Sequence, residues 1–173
     1  MITRYIALQQ RIRQEIADIE LCVSIVNKHW AKHGAKHGAT MDESGTDKSA
    51  YLYSVAFNLH SFYAGIERIF ELIANEIDGG VMGGESWHNN LLRQMAVDLP
   101  GVRPTVLSTE TAETLAEYLR FRHLIRNTYV FRLDVTRMGH LAQGIDAVWT
   151  NLQHELDRFI AYLQTVSLAD EIE

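Results

Sequence analysis

The chain has 173 residues, with 22 acidic against 16 basic side chains and a formal net charge of −6. That balance excludes general coating of nucleic acid, so any nucleic-acid contact is expected to be local. Hydrophobic residues make up 47% of the chain and there is one cysteine, so a single domain over residues 1–173 can bury a core without disulfides.

One cysteine also fits a reducing, cytoplasmic compartment. Cys22 lies in an apolar-rich helix and is read as inert. Met1-Ile2-Thr3-Arg4-Tyr5 opens no continuous apolar run, so no signal peptide is expected. No run approaches the ~18 apolar residues of a membrane span. The two prolines, Pro100 and Pro104, lie close together, and few breakers over such a length favour helix.

Tyr5, Leu8, Ile12, Ile16, Ile19, Val23, Val26 and Trp30 recur by threes and fours. This predicts a long helix over 3–32 with one apolar stripe, packed on an antiparallel neighbour. The tandem Ala31-Lys32-His33-Gly34-Ala35-Lys36-His37-Gly38 follows. His33 and His37 have helical spacing for a metal, but the glycines disfavour helix, so residues 31–46 are read as a flexible connector.

A second long helix is expected from Asp47, with Tyr51, Val55, Leu59, Phe62, Ile66, Ile69, Ile73 and Ile77 inward. Asp78-Gly79-Gly80 should end it. Asn58, Ser61, Glu67 and Glu71 on this helix are expected at its surface. A shorter helix is predicted over 85–98 and a loop over 100–104. Ser108 or Thr109 should cap a helix over 109–131 whose first turn holds Glu110 and Glu113. Asp134 should cap the last long helix, with Met138, Leu141, Ile145, Val148, Leu152, Leu156, Ile160 and Leu163 inward. The expected fold is an all-α, up-and-down bundle of four long helices and one shorter one.

No glycine-rich phosphate loop, paired-cysteine zinc site or Gly-x-Ser-x-Gly elbow occurs, and neither a metal nor a cofactor is expected. The chemistry is sought in residues 119–132, which hold Arg120, Arg122, Arg126 and Arg132, one histidine and no acid. Arginine grips planar oxyanions bidentately, so the patch suits phosphate or carboxylate. Cations at a helix C-terminus also simply oppose its dipole, which is the plainer reading. At about 100° per residue Arg122, Arg126 and Tyr129 share a face fit for RNA, with arginine on phosphate and tyrosine stacking or hydrogen bonding. His88, His123, His140 and His154 are scattered, and each alone reads as structural.

The spacing Arg122-His123-x-x-x-Asn127-x-Tyr129 resembles the Arg-polar-x-x-x-His-x-Tyr motif of HepT-like proteins in the HEPN superfamily. Phe62-Tyr63-x-Gly65-x-Glu67-Arg68-Ile69-Phe70, Gly84-x-x-Trp87-His88-x-x-Leu91-Leu92 and Phe131-x-Leu133-Asp134 are also similar to that group, from about residue 50 onward. The first helix fits by pattern alone. The resemblance implies a metal-independent endoribonuclease toxin, homodimeric, with two arginine motifs meeting at the two-fold in a composite cleft. It further implies an MntA-like minimal nucleotidyltransferase antitoxin that transfers AMP to Tyr129. On it, Arg122 is the phosphate ligand, and Arg120, Arg126 and Arg132 are the supporting RNA-binding cations.

Asn127 departs from the family pattern, which has histidine there. Histidine can shuttle the proton of an attacking 2′-hydroxyl, whereas an amide can only orient or hydrogen bond. His123, beside the motif arginine, is the candidate base, although adjacent helix positions face differently. Two further readings stay open. One is a catalytically weak or inactive module that binds RNA or nucleotide, or docks a nucleotidyltransferase. The other is a plain helical interaction protein.

Overall fold

The computed structural model describes residues 2–34, 47–81, 83–84, 86–127 and 134–169. Five α-helices occur among them: α1 (Ile2–Gly34), α2 (Lys48–Ile73), α3 (Trp87–Met95), α4 (Thr109–Asn127) and α5 (Val135–Ala169). No strand occurs among the described residues; Leu99 and Arg103 form an isolated bridge. The all-α bundle is the expected architecture.

Helix α2 is the axis of the bundle and packs against each of the other four helices. Its sequence explains the position. Val55, Leu59, Phe62, Ile66, Ile69 and Ile73 form one fully buried row, while Ala56, Tyr63, Phe70 and Ala74 bury a neighbouring one. A helix apolar over so wide an arc must be covered on several sides. Helix α1 covers one side through Leu8, Ile12, Ile19, Val23 and Val26. Gly65 lets it approach, because a Cβ there would lie 2.6 Å from Ile19 Cγ1. Phe62 meets both Tyr118 of α4 and Trp149 of α5, with ring centroids at 5.2 and 6.2 Å. The Tyr118 hydroxyl donates to the Leu141 carbonyl at 2.9 Å, tying α4 to α5.

The predicted helix starts are capped. Asp47 Oδ1 accepts from the Ser49 amide at 2.8 Å. Ser108 Oγ accepts from the Thr111 amide at 3.1 Å, and Asp134 Oδ1 from the Thr136 amide at 2.9 Å. Helix α2 runs on through a π turn, Ala74–Asp78, and stops at Gly79, whose φ of 87° suits glycine. A fully buried ion pair then fixes the loop beyond. Arg103 donates to both Asp78 oxygens at 2.6 and 2.7 Å and to the carbonyls of Gln94, Val97 and Pro104.

Three expectations need correction. Residues 31–34 are not connector; they form the last turn of α1, where the preceding apolar stripe outweighs one terminal glycine. Residues 35–46, with the rest of the Lys-His-Gly repeat, lie outside the described residues. Asn58 and Glu67 are buried rather than at the surface. The short helix is trimmed to Trp87–Met95, because Arg103 captures the carbonyls of Gln94 and Val97. Cys22 is half-buried, and burial pushes its thiol above its ordinary range, as an inert cysteine requires. No helix among the described residues is long and apolar enough to cross a membrane.

Candidate functional site

Glu67 decides the site. On α2 it stands four residues after Tyr63 and three before Phe70, so it interrupts a row of buried side chains. A carboxylate in such a row must find partners, because an unpaired buried charge is costly. It finds two. Oε1 accepts from Arg122 Nη2 at 2.9 Å. Oε2 accepts from the Nδ1–H of His88 at 2.5 Å. The side chains are 7% exposed at Glu67 and 11% at both Arg122 and His88, so this is an interior cluster.

Each partner is delivered by a different helix. Arg122 follows Phe121 and lies one turn beyond Tyr118, whose bond to α5 sets the rotation of α4 about its axis. His88 opens α3, which is seated by buried Leu91, Leu92 and Met95 and by Gln94 donating to Asp78 Oδ2 at 2.8 Å. The Trp87 and His88 ring centroids lie 3.6 Å apart, covering one face of the imidazole. The His123 ring meets His88 edge-on at 5.2 Å. His60, two turns before Glu67 on α2, faces the same cations.

Electrostatics follow from this crowding. Burial pushes His123 below its ordinary value, and neighbouring His88 and Arg122 push the same way against Glu67. His60 is lowered first by burial, then by Arg122 and Arg126. Tyr63 is held up by burial and by Glu67. Glu71, one turn beyond Glu67, is raised by burial and by that neighbouring carboxylate. Among the described residues, no group of three or more His, Cys, Asp or Glu is arranged to hold a metal ion.

Arg122 is only partly satisfied. Its Nε and Nη1 are buried and accepted by nothing among the described residues. Each such donor costs about 1–3 kcal/mol. Nη2 is fixed by Glu67, so the guanidinium plane is held while the N–H groups of two nitrogens face an incoming acceptor.

The sequence candidates separate in space. Arg122 and His123 join the cluster. Arg126, one turn on, is exposed yet close enough to depress His60. Arg120 faces away, exposed, and pairs with Glu117. Asn127 is the last residue of α4, and its side chain is not among those described; Tyr129 and Arg132 lie outside the described residues. Sequence reasoning missed the parts played by Glu67 and His88. The signal for Glu67 was a charge at the i+4 and i−3 spacing of Tyr63 and Phe70. For His88 the sign was its place in the family-like stretch Gly84-x-x-Trp87-His88.

Comparison with protein families matches residues 54–163 to HepT-like proteins. The match runs from α2 into α5 and includes Glu67, His88 and Arg122, while α1 lies outside it. No curated protein and no solved structure matches the chain. The matched span is well over half of the sequence, and the chain belongs to the HepT-like family of the HEPN superfamily.

Proposed function

We propose that this chain is the toxin of a HEPN–nucleotidyltransferase pair, a metal-independent endoribonuclease acting in the cytoplasm. The observation that carries the reading is Arg122: a guanidinium held in the interior by one nitrogen, with its other two nitrogens buried and unpaired among the described residues. Such donors suit the phosphate at which charge grows in the transition state of RNA cleavage. Family membership supports the same reading. On it, two copies of the chain bring their arginine motifs together, with Arg126 and Arg132 guiding RNA. Arg120, engaged by Glu117 on another side of α4, takes a peripheral part. An MntA-like nucleotidyltransferase silences the site by placing AMP on Tyr129, adding bulk and negative charge beside the arginines.

The test is labelled RNA incubated with the purified protein in EDTA. Cleavage is expected, with a loss of about 10²–10³-fold in Arg122→Ala. Equal cleavage by that variant removes Arg122 from the site. Light scattering at micromolar concentration should give a dimer; a monomer ends the composite-cleft reading.

Asn127 favours a second reading, because an amide has no proton to shuttle near neutral pH. The module then binds RNA or nucleotide, or docks the nucleotidyltransferase, without cleaving. An inactive wild type with an active Asn127→His variant selects this reading. A mass increase on Tyr129 after co-expression with a nucleotidyltransferase is common to both.

A further inference from the structure

The missing histidine at position 127 leaves a chemical vacancy in the proposed reaction, and the interior cluster contains a group that fits it. We propose that His88, oriented by Glu67, is the proton acceptor of the cleavage step in this chain. The inference rests on the ribonuclease reading and names a catalytic residue outside the arginine motif.

Three observations carry it. The first is orientation. In the neutral ring, a carboxylate oxygen on Nδ1 at 2.5 Å holds the proton on that nitrogen and leaves the Nε2 lone pair as acceptor. Among the described residues no second hydrogen bond involves His88, so none of them occupies Nε2. The second is registration. The other oxygen of the same carboxylate holds Arg122 at 2.9 Å, so proton acceptor and phosphate ligand are set by one side chain and cannot drift apart. The third is rigidity. Trp87 covers one face of the imidazole, and His123 meets it edge-on. Pre-organised geometry of this kind is what proton transfer needs.

The step balances as follows. The 2′-oxygen attacks the adjacent phosphorus while His88 Nε2 takes the 2′-hydroxyl proton. The bond from phosphorus to the 5′-oxygen breaks, and that oxygen takes a proton from water. The hydroxide so formed is neutralised by the proton that His88 gives up. The products are a 2′,3′-cyclic phosphate and a 5′-hydroxyl. Arg122 stabilises the phosphoryl oxygens throughout, and Glu67 is a positioning residue.

The groups facing His88 are Glu67 and Glu71 from α2 and Arg122 and His123 from α4. All of them contribute to any pH dependence, so the test separates His88 from the rest. His88→Asn keeps an amide donor where Nδ1 stood and removes the acceptor. It should melt within a few degrees of wild type, cleave RNA about 10²–10⁴-fold more slowly, and lose the rise in rate with pH that a histidine base confers. His123→Gln should keep that rise. Imidazole ¹⁵N spectra of the wild-type protein should place the His88 proton on Nδ1.

If His88→Asn cleaves within about threefold of wild type with an unchanged pH profile, the inference is overturned and the ribonuclease reading stands. A proton found on Nε2 overturns it equally, even if the variant fails to fold. Loss of the pH-dependent rise in His123→Gln while His88→Asn keeps it transfers the role to His123. A wild type that cleaves no RNA overturns the reading and the inference together.

Discussion

Truncating Glu67 to alanine leaves Arg122 in the interior without the Glu67 carboxylate. Burial decides the size of the effect. A surface ion pair is worth about 0–1 kcal/mol, but removing one partner of a buried pair costs about 3–5 kcal/mol because the other charge is stranded. Arg122 and Glu67 are 11% and 7% exposed, so the second regime applies. The hydrogen-bond count agrees. Two bonds to a carboxylate are lost, at about 1.5–3 kcal/mol each, giving about 3–6 kcal/mol before water enters the space. With a urea slope of about 2 kcal/mol per molar, the unfolding midpoint should fall by about 1.5–2.5 M. The internal control is Arg120, whose pair with Glu117 is 58% and 53% exposed; Arg120→Ala should move the midpoint by less than about 0.5 M. In a double-mutant cycle with Arg122→Met, the combined loss should fall short of the sum by about 1–3 kcal/mol. A cost for Glu67→Ala below about 1 kcal/mol, or additive losses in the cycle, would refute the buried-pair reasoning.

Arg103→Met strands Asp78, whose side chain is 1% exposed, and frees the carbonyls of Val97 and Pro104; a loss of about 3–5 kcal/mol by urea unfolding is expected. Gly65→Ala forces Ile19 to move, at about 1–3 kcal/mol, against a helix-propensity gain of about 1 kcal/mol. A drop in melting temperature reveals which wins, and loss is expected because Ile19 is fully buried. Stability should fall between pH 7.5 and 6. His29, His60 and His123 all titrate lower in the fold than their ordinary 6.5, so the unfolded chain binds more protons in that window. Urea midpoints at the two pH values should differ less in His60→Asn than in wild type. Glu71 works in the opposite sense, starting from its ordinary 4.5 upward, so the comparison stops at pH 6.

The periodicity of Leu8 to Val26, of Tyr51 to Ile73 and of Met138 to Leu163 was enough to predict an all-α bundle, because a helix buries what recurs every three to four residues. Asp47, Ser108 and Asp134 marked helix starts, because capping is a local hydrogen bond between near neighbours in sequence. The arginine motif and the matching residues around it pointed to the family, and Arg122 does stand in the interior cluster. What the sequence could not supply was the company Arg122 keeps. Glu67, His88 and Arg122 lie 21 to 55 positions apart, on α2, α3 and α4, and no local spacing relates them. They meet because Phe62 and Tyr118 set how α4 rolls on α2 and α5, and Leu91, Leu92 and Met95 set where α3 docks. The sequence by itself determined the helices, their caps and the motif arginine. Only the tertiary structure decided that a carboxylate read as surface is the interior bridge between that arginine and a histidine, because burial and packing are properties of the assembled helices.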